Sequence, residues 1–279
     1  MKKFIRAILG FVYGIVYGAA HLIPGGLSGG TFLVIFGCYE TVCEAFALNK
    51  KEIKRNFLFL VFFVIGTVGG MLGFVRLITF LFDNYEIQTK LFFMGLILGG
   101  IPLISKIATK TEKFRPACII PFLLGFALVV SLFIIEKLGI VGTDAAQAYD
   151  AAFFIKIAVC GFFAAIAMVM PGIAGAFVLV VLGVYGIYIE ALTNFDMSII
   201  IPAAIGILIG IVVGAKLVLL FIKKHTLFAY SAIMGMVIGS ILPLIPGGLG
   251  LNIATVIGIV CLVFGGGLGV VLGRRELAE

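Results

Sequence analysis

Pro24-Gly25-Gly26-Leu27-Ser28-Gly29-Gly30 lies between two apolar stretches and returns as Pro171-Gly172-Ile173-Ala174-Gly175. The likeness continues beyond the glycines. Gly37, Tyr39, Glu44 and Ala45 match Gly183, Tyr185, Glu190 and Ala191 at one constant offset. Gly66, Gly70, Arg76, Leu77, Met94, Gly95 and Gly99 match Gly206, Gly210, Lys216, Leu217, Met234, Gly235 and Gly239 at another. The chain is therefore an internal duplication, with halves at 1–145 and 150–279. Duplicated apolar halves broken by Gly and Pro at corresponding places are the sequence mark of a membrane transporter.

Composition agrees. Hydrophobic residues make up 63% of the 279 residues and charged residues 12%, whereas a soluble domain is about half apolar and a quarter charged. Helices are the form expected in lipid, because every backbone polar group must be satisfied there. The alternation of a membrane barrel is missing. The net charge of +7 is expected to mark a cytoplasmic face and not a nucleic-acid partner. The first apolar segment shows no small-residue cleavage site and is taken as part of the structure. The five cysteines form no C-x-x-C pair or His/Cys cluster and are expected as small buried hydrophobes.

The expected architecture is an all-α polytopic membrane protein, a single membrane domain of two repeats. Repeat 1 has a glycine-broken hairpin at 4–48 and spans at about 57–82, 91–108 and 117–138. Repeat 2 has its hairpin at 152–192 and spans at about 198–222, 227–245 and 251–272. Each hairpin is either two full spans or a re-entrant pair turning inside the membrane, and the re-entrant form is the expectation adopted. Both forms return to the side they left, so three further spans invert the second half. With the N-terminus inside, residues 2–6, 50–55, 106–115, 223–224 and 274–275 are cytoplasmic and hold most of the 20 basic residues. Asp83, Glu86, Asp144, Asp150 and Asp196 fall outside. This bias places both termini in the cytoplasm.

The candidate site grows from the glycine motifs. Pro24 disfavours helix at Ile23, clustered glycines permit tight turns, and Ser28 or Thr31 is placed to cap the helix that follows. A helix starting inside the membrane directs free amides at an anion; the plain alternative is a packing corner of small residues. Ser28, Gly29, Gly30, Thr31, Gly172 and Gly175 are the expected phosphate contacts. Arg76 and Lys216 are repeat partners deep within single spans, where cations are costly and face a cavity or partner unless they snorkel. They complete the expected set. Glu40, Glu44 and Glu190 are candidate proton carriers or ion-pair partners, Tyr39 and Tyr185 head-group donors or interfacial anchors, and His21 beside the motif a neutral hydrogen-bonded histidine, with phosphate contact or pH sensing as the alternative. No Walker A loop, G-x-S-x-G or H-E-x-x-H motif occurs, so neither an enzyme, a cofactor nor a metal site is expected.

The run from Gly14 to Glu44, with its P-G-x-x-S-G-G-T core and G-x-Y ending, resembles the family of PopT-type undecaprenyl-phosphate translocases. The segment from Met170 to Tyr185 resembles the second motif of that family. The resemblance implies a polyprenyl-phosphate lipid as partner in the bacterial cell membrane. It also implies return of undecaprenyl phosphate from the outer to the cytoplasmic leaflet during cell-envelope synthesis. A secondary transporter of a small soluble anion is the alternative expectation.

Overall fold

The computed structural model describes residues 2–20, 29–109, 115–138, 150–247, 250 and 253–277. Among these the chain is helical throughout, without a strand. The first half runs α1 (Lys2–Ala20), α2 (Gly29–Ile35), α3 (Tyr39–Phe46), α4 (Lys50–Arg55), α5 (Phe57–Asn84), α6 (Glu86–Ala108) and α7 (Ile119–Lys137). The second runs α8 (Ala151–Val169), α9 (Gly175–Val181), α10 (Tyr185–Asn194), α11 (Met197–Lys224), α12 (Thr226–Gly239) and α13 (Ile253–Leu277). Six helices among the described residues are long and apolar enough to cross a membrane. The protein is a multi-pass membrane protein.

Helices lie over the positions of the expected spans, with α5 and α6 longer than anticipated and α12 stopping at Gly239 before a short 3-10 turn at Leu242–Leu244; the six membrane-length helices among the described residues include α8 of the second hairpin and not α5. The second arms of the hairpins differ more. Neither is one helix. The first breaks at Gly37 (φ +72°) and the second at Gly183 (φ +66°). Cys38 N–H donates to the Leu33 carbonyl and Gly37 N–H to that of Val34; Val184 and Gly183 donate to Leu179 and Val180 in the same way. This pair of bonds around a left-handed glycine is the Schellman helix end. It leaves α2 and α9 seven residues each, about 10 Å long and far short of the ~30 Å hydrocarbon core. All of α2 is buried, so it lies wholly inside the bundle. The basic patch after the first hairpin is itself the exposed helix α4.

Glycine sets the helix pairing. A Cβ on Gly66 would lie 2.2 Å from the Phe11 carbonyl, and one on Gly70 2.3 Å from that of Ile15. Such contacts bring α5 and α1 backbone to backbone, as small residues four apart allow. Both contacts advance together along the two helices, so α1 and α5 run parallel. In the second half Gly206 and Gly210 of α11 meet Ala158 and Phe162 of α8 in the same manner. The remaining helices pair across the halves. Gly95 of α6 meets Leu262 of α13, and Gly235 of α12 meets Phe122 of α7, each with a carbonyl 2.0 Å from the position a Cβ would take. These two contacts map onto each other when 140 is added to one partner and subtracted from the other. Both pairs are again parallel, since Gly99 reaches Gly266 and Gly239 reaches Phe126.

The large core lies where the first hairpin meets α6, α11 and α12. It holds Phe32, Ile35, Ile97, Ile104 and Val237, with Tyr13 stacked on Phe36 at 4.7 Å between ring centroids. A smaller cluster around Ile157, Val184 and Tyr188 anchors the second hairpin.

Candidate functional site

The two glycine motifs touch. Gly172 N–H donates to the Thr31 hydroxyl at 2.9 Å, with both residues buried. Gly172 has φ +83°, and a Cβ there would lie 2.6 Å from the Met236 carbonyl. Glycine is therefore needed at this position for conformation and for space. Thr31, expected as a possible cap, instead sits inside the first turn of α2 and serves the opposite half. Gly29 and Gly30 are buried beside it in α2. Gly175 opens α9 against α8, with the Ala164 carbonyl 2.8 Å from where its Cβ would be.

A ladder of polar contacts to the second half continues from Thr31 along α3. Tyr39 donates to the Val169 carbonyl at 2.9 Å, at the end of α8. The carboxylate of Glu40 accepts from Tyr230 of α12. Glu44 pairs with Lys223 of α11 and accepts from Asn49 at 2.7 Å. Burial works to raise the pKa of Glu44, but Lys223 and Asn49, helped by Arg55, outweigh it and hold the carboxyl below its ordinary value. Lys223 is the partner that sequence reasoning missed. The sequence places it only among the cytoplasmic basic residues, because its distance from Glu44 along the chain hides the contact.

Other candidates separate from this ladder. Tyr185, the repeat partner of Tyr39, is exposed, and Glu190 is exposed as well. Tyr188 takes the buried role in the second hairpin, donating to the Ile157 carbonyl at 2.6 Å. Lys216 lies on the exposed face of α11 beside Leu217 and Leu220, not with the buried Gly210 and Gly214. His21, Ser28 and the Arg76 side chain lie outside the described residues.

An apolar cavity of about 310 Å³ adjoins the motif contact between α7, α11 and α12. Tyr39, Leu124, Leu128, Met170, Pro171 and Phe221 are among the residues that line it. Leu124 and Leu128 are also exposed on the outside of the bundle. The cavity thus joins an apolar outer surface to the second glycine motif.

A family model described as VCA0040-like, undecaprenyl phosphate translocase-like, matches residues 18–257. The chain belongs to this family. Both glycine motifs and the crossed helix pairs fall within the matched region or begin there. The chain is 28% identical over 252 residues to a polyprenyl-phosphate transporter of Staphylococcus aureus, covering 88% of this chain and 87% of that protein. It is 23% identical over 245 residues to a polyprenyl-phosphate transporter of Vibrio cholerae, covering 83% of this chain and 75% of that protein. Both relatives, like the family, are named for transport. No solved structure matches.

Proposed function

We propose that the protein carries undecaprenyl phosphate, or a closely related polyprenyl phosphate, from the outer to the cytoplasmic leaflet of the bacterial cell membrane. It works by alternating access and returns the carrier lipid to cell-envelope synthesis. The observation that carries this reading is the buried Thr31–Gly172 contact beside an apolar cavity. The head group passes the glycine motifs while the tail stays in lipid or in the cavity. Ser28, Gly29, Gly30, Thr31, Gly172 and Gly175 are the residues assigned to bind the phosphate. Arg76 meets the phosphate from outside and Lys216 accompanies it inward.

The parallel pairs support inverted repeats with both termini on one side, and the bias of basic residues favours the cytoplasm as that side. α13 runs with α6, and α7 is the span that follows α6 and turns back. Repeat partners α7 and α13 therefore cross in opposite senses. The parallel run of α1 with α5, and of α8 with α11, supports hairpins that return to their starting side, and the seven-residue α2 and α9 favour the re-entrant form.

The test is lipid movement in proteoliposomes, with labelled undecaprenyl phosphate placed in one leaflet. Protein-dependent movement that is lost in folded Gly172→Ala supports the site. Movement unchanged in Arg76→Gln and Lys216→Gln removes the cation roles while keeping the function. No movement under a proton gradient of either sign discards the lipid reading in favour of a soluble anion.

A further inference from the structure

A second cavity of about 280 Å³ lies between the start of α1, the α2–α3 break and the α4–α5 junction. Arg6, Thr41, Arg55 and Asn56 line it, over apolar walls that include Tyr13 and Phe59. Two guanidiniums from separate elements, an amide and a hydroxyl share one volume. Planar guanidinium forks are the groups best matched to phosphate oxygens. Glu52 holds Arg55 at 2.6 Å and accepts from Asn56 at 3.3 Å, so one carboxylate engages two of the four residues that a phosphate would use.

The repeat offers an internal control. Asn56 precedes α5 as Asp196 precedes α11, each directly before a helix of 28 residues. At the same offset Arg55 corresponds to Phe195, and at the offset that aligns α1 with α8 Arg6 corresponds to Phe153. Where the first half has two guanidiniums and an amide, the second has two phenylalanines and a carboxylate. α4 has no counterpart either, since α10 reaches α11 through Phe195 and Asp196.

We propose that this cavity is a phosphate site confined to the end of the protein that carries the basic helix α4, and that it receives the head group of the transported lipid at the cytoplasmic leaflet. The lipid source rests on the transporter reading; the phosphate chemistry does not. A site present at one end only makes the two ends of a duplicated path unequal.

Full-length protein in phosphatidylcholine nanodiscs, titrated with undecaprenyl phosphate, undecaprenol and inorganic phosphate, tests this, with translocation followed separately in proteoliposomes. Undecaprenyl phosphate is expected to bind and undecaprenol not to displace it. Arg6→Gln and Arg55→Gln each weaken binding roughly tenfold, the value of one charge-assisted hydrogen bond. Glu52→Gln tightens it by freeing Arg55, a gain that misfolding cannot produce. Unchanged affinity in all three variants, with translocation intact, overturns the site and leaves the transporter reading standing. Arginine-dependent binding of inorganic phosphate without lipid binding keeps the phosphate chemistry and overturns the lipid source. Wild-type protein that neither binds nor moves the lipid overturns the transporter reading itself.

Discussion

Among single positions Thr31 carries the sharpest test. Its hydroxyl is the acceptor for a buried amide of the opposite half. Thr31→Val keeps the shape and strands that N–H, which costs about 1–3 kcal/mol. Thr31→Ser keeps the acceptor and loses about 1 kcal/mol of burial. Thermal unfolding in detergent should therefore rank Ser well above Val; equal losses would show that the bond contributes nothing. Glu44 gives a pH signature. Its folded-state pKa is lowered, so its pairing stabilises above the ordinary carboxylate value of about 4.3 and is lost as pH falls through the folded value. Wild type should be more stable than Glu44→Gln at neutral pH and converge with it in acid. A gap that persists in acid would assign the effect to packing. The glycine motifs were visible in the repeat, and Thr31, Gly172 and Tyr39 were each candidates in the sequence; the structure sets Thr31 against Gly172 and Tyr39 against Val169. Tyr230 and Lys223 were not, because their contacts join residues 190 and 179 positions apart. Tyr185 is exposed where its sequence counterpart Tyr39 is buried, and Tyr188 holds the buried place in the second hairpin.

Among the elements, the broken second arms set the design. Apolar periodicity carried straight through Gly37 and Gly183, so each arm looked continuous, although the glycine that ends the first segment was in plain sight. A left-handed residue with a Cβ costs about 1–2 kcal/mol. Gly183→Ala should therefore lower stability by that amount, as read by thermal unfolding, while Gly69→Ala, whose Cβ would meet nothing within 4 Å, should be close to silent. Equal behaviour of the two would mean that the α9 helix end tolerates another conformation. Gly95→Ala is a harsher change, because the Leu262 carbonyl occupies the space and is backbone. Spacings of four between glycines, as in Gly66–Gly70 and Gly95–Gly99, were visible in the sequence as repeat matches. Which helix each would meet was not, because a small-residue stripe specifies close approach without naming its partner.

For the whole molecule, the halves are not side by side but interleaved. α6 takes its parallel partner from the second half and α12 takes its own from the first. The ladder of Thr31, Tyr39, Glu40 and Glu44 adds polar contacts between the same halves. Residues 1–145 and 150–279 expressed as two chains should therefore co-purify through a tag on either one, and neither should accumulate alone. Accumulation of a lone half would contradict the exchanged pairing. The interleaving also governs how the protein is made. The glycine face of α6 leaves the ribosome long before α13 exists, and at about 5–20 residues per second the wait is on the order of ten seconds. During that time a groove shaped for another helix stands open to the bilayer. The newborn first half must be kept from the wrong neighbour until the last helix of the chain arrives to close it.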